Sequence, residues 1–222
     1  MVVYQHEQRK DLAAAAQVLH EAIGRKKGVP EFYEYLVHLH EQQKRYDQAI
    51  ATLQRAIRAM PDEGRWYFAL AALYERVKDR ERAIAAMREV LKRDPRDATA
   101  LNYIGYTYAE QGRNLDEAEA LLQAAATLRP NDGYIIDSLA WLYFQKGDHT
   151  RALDLLRRAS QLSPKEGTIW YHLAAVYAKL GDARRALALA RQARALFLGK
   201  DETNVDDMAK LEQLIKELGA RP

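Results

Sequence analysis

The stretch WYHLAAVYAKLGDARRALALARQA, Trp170 to Ala193, decides the fold. Trp170, Leu173, Ala174 and Tyr177 are spaced by three, one and three residues, which places them on one stripe of a helix. The turn LGDA (Leu180 to Ala183) follows, and its Gly181 suits the left-handed conformation that ends a helix. Beyond the turn, Ala186 is small where a second helix must pass close to the first. The stretch reads as one antiparallel helical hairpin.

The same hairpin recurs along the chain. Pro61, Pro95, Pro130 and Pro164 mark a period of 34 residues, with one extra residue near GRNLDEA in the third copy. Counting Pro30 as position 1 gives five complete units: 30–63, 64–97, 98–132, 133–166 and 167–200. Position 4 carries Tyr33, Tyr67, Leu101, Ile136 and Trp170; position 7 carries Leu36, Leu70, Ile104, Leu139 and Leu173. Position 8 is small or modest, and position 11 is His40, Tyr74, Tyr108, Tyr143 and Tyr177. Position 20 is Ala49, Ala83, Ala118, Ala152 and Ala186, followed mostly by large apolar residues at 24 and small ones at 27. Lys44 and Lys78 stand where the later units have a turn glycine. Residues 1–29 fit the register as a partial unit, which suggests a stretch excised from a longer array. Residues 201–222 place Met208, Leu211, Leu214, Ile215 and Leu218 on one stripe, as expected of a capping helix over the last hairpin.

Composition agrees with an all-α chain. The 222 residues are 48% hydrophobic, with only 11 glycines and 6 prolines. The formal charge of +3 arises from 34 basic and 31 acidic residues interleaved throughout, a mixed surface without the footprint of nucleic-acid binding. Arg80, Arg82, Lys92, Arg93 and Arg96 are diluted by Asp79, Glu81, Glu89, Asp94 and Asp97. With no cysteine, neither a disulfide framework nor a thiolate metal site can form. No apolar run reaches the roughly 20 residues that span a bilayer. The chain also lacks HExxH, GxxxxGK[ST] and GxSxG, so no catalytic constellation emerges and no cofactor is implied. Glu34 and His38 share a helix face, but two ligands do not define a metal site.

The stripe W-x2-L-A-x2-Y with a later Ala and Pro resembles the tetratricopeptide repeat (TPR). That resemblance implies a right-handed superhelical solenoid of antiparallel hairpins spanning 1–222 as one array, ending in the capping helix. LNYIGYTYAEQGRNLDEAEALL and DGYIIDSLAWLYFQKGD are similar to the C-terminal repeats of bacterial cell-envelope members, including lipoprotein adaptors. A cytoplasmic setting and, by that resemblance, a periplasmic or envelope-attached one both stay open.

In such repeats the first helices line a concave groove through positions 2, 5, 6, 9, 12 and 13. Carried onto this chain, those positions give an acidic N-terminal edge, Glu7, Glu31, Glu34, Glu41 and Glu75. They also give a C-terminal aromatic half, Asn102, Tyr103, Tyr106, Tyr134, Asp137, Trp141, Phe144 and Tyr171. Trp141 and Phe144 fall off the hairpin-core stripe, so a partner segment is one use for them; packing on a neighbouring repeat is the other. Asn102 and Asp137 are expected to hold a peptide backbone. Chaperone-binding members clamp a C-terminal carboxylate with Lys and Asn at positions 5 and 9, but here those pairs are Glu34/His38, Phe68/Ala72, Asn102/Tyr106, Asp137/Trp141 and Tyr171/Ala175, so the clamp is absent. The expectation is a non-catalytic adaptor for a protein or peptide segment, with self-assembly into a homo-oligomer as the alternative.

Overall fold

The computed structural model describes residues 12–199 and 205–219. Among them are twelve helices and no strand: α1 (Leu12–Arg25), α2 (Pro30–Gln42), α3 (Tyr46–Ala59), α4 (Arg65–Arg76), α5 (Arg80–Arg93), α6 (Ala98–Gln111), α7 (Leu115–Leu128), α8 (Gly133–Gln145), α9 (His149–Leu162), α10 (Gly167–Lys179), α11 (Ala183–Leu198) and α12 (Val205–Gly219). The backbone divides into two compact units at Pro95 and Arg96. Unit 1 holds α1–α5 and unit 2 holds α6–α12.

Each hairpin is punctuated in the same way. The residue at position 15 has positive φ, at Lys44 (57°), Lys78 (60°), Gly112 (64°), Gly147 (81°) and Gly181 (86°). That conformation lets the next residue's N–H reach back to the carbonyl at position 11, as in Arg45 N to His40 O and Asp79 N to Tyr74 O at 2.8 Å, or Asp148 N to Tyr143 O at 2.9 Å. The second helix then begins on an aspartate in three copies, where Asp79, Asp148 and Asp182 accept from the N–H groups of Arg82, Arg151 and Arg185. In the third copy the extra residue puts Asn114 at positive φ as well (50°).

The predicted stripes form the core, except that Tyr67 and Trp170 at position 4 are half-buried. Ala49, Ala83, Ala118, Ala152 and Ala186 are all fully buried, so the two helices of each hairpin meet at alanine. Gly105 takes the same economy a step further: a Cβ there would lie 2.6 Å from Leu122 Cγ, closer than packing allows. A further stripe was not anticipated. Position 10, Leu39, Leu73, Thr107, Leu142 and Val176, is buried in every copy. So is position 3 at Trp66, Ala100, Ile135 and Ile169.

Tyrosine at position 11 also ties one repeat to the preceding one. Its hydroxyl accepts from Gln54 at Tyr74 (3.3 Å), from Gln123 at Tyr143 (3.2 Å) and from Arg157 at Tyr177 (2.9 Å), each donor lying on the preceding repeat's second helix. His40, in unit 1, is buried at the same position with no partner for its Nδ1 among the described residues, its ring 6.3 Å from that of His20.

The units differ in how their first helices pack. In unit 2, α6 packs on α8 and α8 on α10, while α12 packs on α10 and α11. In unit 1 the backbones of α2 and α4 stand farther apart and meet through side chains, Tyr33 edge-on to Trp66 (centroids 6.3 Å apart) and Glu34 with Arg65 (3.0 Å).

Candidate functional site

The close approach of α8 and α10 gathers four of the expected residues into one layer. Trp141 stacks on Phe144 (centroids 4.7 Å apart, planes at 12°) and, on α10, against His172 (4.0 Å, 17°). Tyr171 is tilted against both Trp141 (6.3 Å) and His172 (5.4 Å), and His149 lies 5.2 Å from Phe144. His172 Nδ1 is 2.9 and 3.0 Å from the two carboxylate oxygens of Asp137. Both side chains are buried, 2% and 8% exposed, so the Nδ1–H donates to a carboxylate that has lost most of its water.

Of the two uses open to Trp141, this placement shows packing on a neighbouring repeat. Trp141, Asp137 and Tyr171 are buried, at 8%, 6% and 8% exposure. The physical reason is spacing: with the first helices in contact, positions 5 and 9 of one repeat meet positions 5 and 6 of the next. Asp137 is accordingly engaged by His172. Tyr171 belongs to an apolar cluster with Ala174, Ala190, Ala193, Phe197 and Leu211 of α12. Burial first, then the carboxylates of Asp207 and Glu110, pushes its hydroxyl pKa up to about 12. The half-buried members are Asn102, Tyr103, Tyr106 and Phe144. Tyr134 stands apart at 55% exposure; a hydrogen bond to Glu166, then burial, pushes its hydroxyl pKa up to about 12.

Two polar atoms of this face, Trp141 Nε1 and Asn102 Oδ1, are buried with no hydrogen-bond partner among the described residues. An unmade bond of that kind costs about 1–3 kcal/mol.

The acidic edge lies in unit 1. Glu34 is paired with Arg65 (3.0 Å) and Glu75 with Arg80 (3.5 Å), whereas Glu31 is exposed and Glu41 half-buried. Glu7 lies outside the described residues. The ladder is thus partly neutralised by arginines on unit 1's own helices. Sequence reasoning missed His172 as Asp137's partner; its signal was a spacing of 35 residues, one period plus one, which sets position 5 against position 6 of the next repeat.

No helix among the described residues is long and apolar enough to cross a membrane. Among those residues, no three His, Asp or Glu side chains are grouped to hold a metal ion.

Comparison with known proteins places this architecture. One tetratricopeptide repeat model matches residues 7–73 and 143–199, and a second matches 68–133. The TPR repeat-containing protein PA4667 of Pseudomonas aeruginosa is 39% identical over 57 residues, 26% of this chain. That match spans only 10% of the relative's own length. MamA from Desulfovibrio magneticus RS-1 superposes with a TM-score of 0.64 at 17% identity, covering 78% of this chain and 97% of MamA. YrrB, described as a TPR protein with an unusual peptide-binding site, gives 0.60 at 16% identity, covering 89% and 99%. With repeat models matched from residue 7 to residue 199 and the hairpins they predict observed, the chain belongs to the tetratricopeptide repeat family.

Proposed function

We propose that this chain is a non-catalytic scaffold that binds a peptide or helical segment of a partner protein on the first-helix face of unit 2. The observation that carries the reading is the ring layer of Trp141, Phe144 and His172, bordered by the half-buried Asn102, Tyr103 and Tyr106. Trp and Tyr are the side chains most enriched among interface anchors, and they act best when water is already largely excluded around them. Burial gives the eight residues different tasks. Trp141, Asp137 and Tyr171 form a preorganised floor, while Asn102, Tyr103, Tyr106, Phe144 and the outlying Tyr134 supply contact. Peptide binding by YrrB, which shares the fold, is in keeping with this.

The test is a selection of displayed peptides on the intact chain, followed by titration of the binders against Tyr106→Ala and Phe144→Ala. Each variant is expected to lose about 2 kcal/mol of affinity if its ring is an anchor, with the far-ultraviolet circular dichroism unchanged. Binders that ignore both substitutions contradict the proposal. Light scattering over a concentration series separates it from self-assembly, which predicts a mass that rises with concentration.

A further inference from the structure

The helix α12 does more than cover the end of the last hairpin. Its Lys210 Nζ lies 3.1 Å from Glu110 Oε1, near the C-terminal end of α6 and two repeats away from α10. Glu110 is at position 13 of its repeat, on the first-helix face. Leu211, the next residue of α12, is fully buried in the cluster that contains Tyr171, with Met208, Leu214 and Ile215 packed around it. On the opposite side Arg194 of α11 is 3.8 Å from Glu212. The helix therefore lies against the same face that the ring layer occupies, with its apolar stripe inward, a lysine toward α6 and a glutamate toward α11.

We propose that α12 occupies a seat that an amphipathic helix of a partner protein takes, so that the partner and α12 compete for it. This rests on the reading that unit 2 binds protein segments, and it adds the partner's chemistry. An apolar stripe repeating at three and four residues is needed for Tyr171, Ala190 and Phe197; a basic residue beside one stripe position meets Glu110; an acidic residue two further on meets Arg194. The two ion pairs holding α12 are partly solvated, with side-chain exposures of 49% and 17% for one and 42% and 48% for the other, and pairs of that kind hold weakly. Displacement of α12 uncovers Tyr171, which joins the seat to the Trp141 layer. A resident helix also lowers the apparent affinity of any competitor by the fraction of time that the seat is open.

The experiment uses a fluorescent peptide with the sequence Val205–Gly219 and the full chain, read by anisotropy. Leu211→Asp in the chain frees the seat, and the peptide is expected to bind that variant at least about tenfold tighter than wild type. Adding Glu110→Lys to the chain should reduce the gain severalfold, and a peptide carrying Lys210→Glu should recover it. Hydrogen exchange of α6–α9 confirms that the hairpins persist in Leu211→Asp; if they do not, Lys210→Glu in the chain replaces it, with a smaller gain expected. No gain in a folded variant, or a gain indifferent to the charge reversal, overturns the proposal. A Leu211→Asp chain that dimerises assigns the seat to a second copy and also overturns it. The two readings fail separately. Peptide bound in trans while selected binders ignore Tyr106 and Phe144 leaves the seat and removes the proposed contact face; selected binders equally tight on wild type and Leu211→Asp do the reverse.

Discussion

Units 1 and 2 are written in the same 34-residue register, yet they differ at the same few positions. At position 12 unit 1 has the charged Glu41 and Glu75, both half-buried, where unit 2 has the apolar Ala109, fully buried, and Phe144 and Ala178, half-buried. At position 15 unit 1 places lysine in the left-handed region, where unit 2 places glycine. At position 11 unit 1 includes a buried His40, where every unit 2 copy has tyrosine. The consequence is geometric. The backbones of the first helices pack closely in unit 2 and stand farther apart in unit 1, and the stacked layer of rings at groove positions, Trp141 on Phe144 and His172, lies in unit 2. A repeat motif sets the hairpin; the residues between its signature positions set how closely hairpins stack and what face they present.

The largest expected effect comes from exchanging position 12. Ala109→Glu forces a carboxylate into a site with no room for water, and should cost about 3 kcal/mol or more in urea unfolding. Glu75→Ala, the reverse exchange in unit 1, should stay within about 0.5 kcal/mol. Equal effects would erase the contrast.

A smaller change sharpens it from the other side. Lys44→Gly and Lys78→Gly relieve side chains held at positive φ and should each stabilise the protein by about 1 kcal/mol. Gly147→Ala should destabilise by a similar amount, read from the same unfolding curves.

The smallest concerns pH. Burial, then the neighbouring charges of His20 and Arg45, lowers the pKa of His40. Burial, then Arg55, lowers that of His20. The unfolded chain then binds more protons than the folded one below the ordinary histidine value of about 6.5. Stability is therefore full above that pH and falls as pH drops through it toward the depressed folded values. His40→Tyr, which copies unit 2, should flatten this slope in thermal melts between pH 7.5 and 5.5.

Much of this was legible in the sequence. Positions 4, 7, 8, 11, 20 and 24 marked the hairpin core because those contacts are local and recur at helical spacing. Positions 3 and 10 lie off the stripe read one hairpin at a time, and Trp66 at position 3 meets Tyr33 of the adjacent repeat. The same limit hid the site's interior. Whether Trp141 is open or covered depends on the distance between α8 and α10, which no single repeat encodes. Asp137 looked like a donor-seeking carboxylate until His172, one repeat on, proved to be its partner. The register also runs through Pro95 and Arg96 without a break, so the division into two units left no mark on the period.

Backbone hydrogen exchange on the wild type and on His172→Ala tests the central contrast most directly. The packed layer predicts that amides of α8 and α10 are protected well beyond those of α2 and α4. Removing the imidazole should strand Asp137 and lower protection in α8 and α10 by about 3 kcal/mol, with α2 and α4 unmoved. Equal protection in both units, or a His172→Ala chain whose α8 and α10 exchange as before, would contradict it.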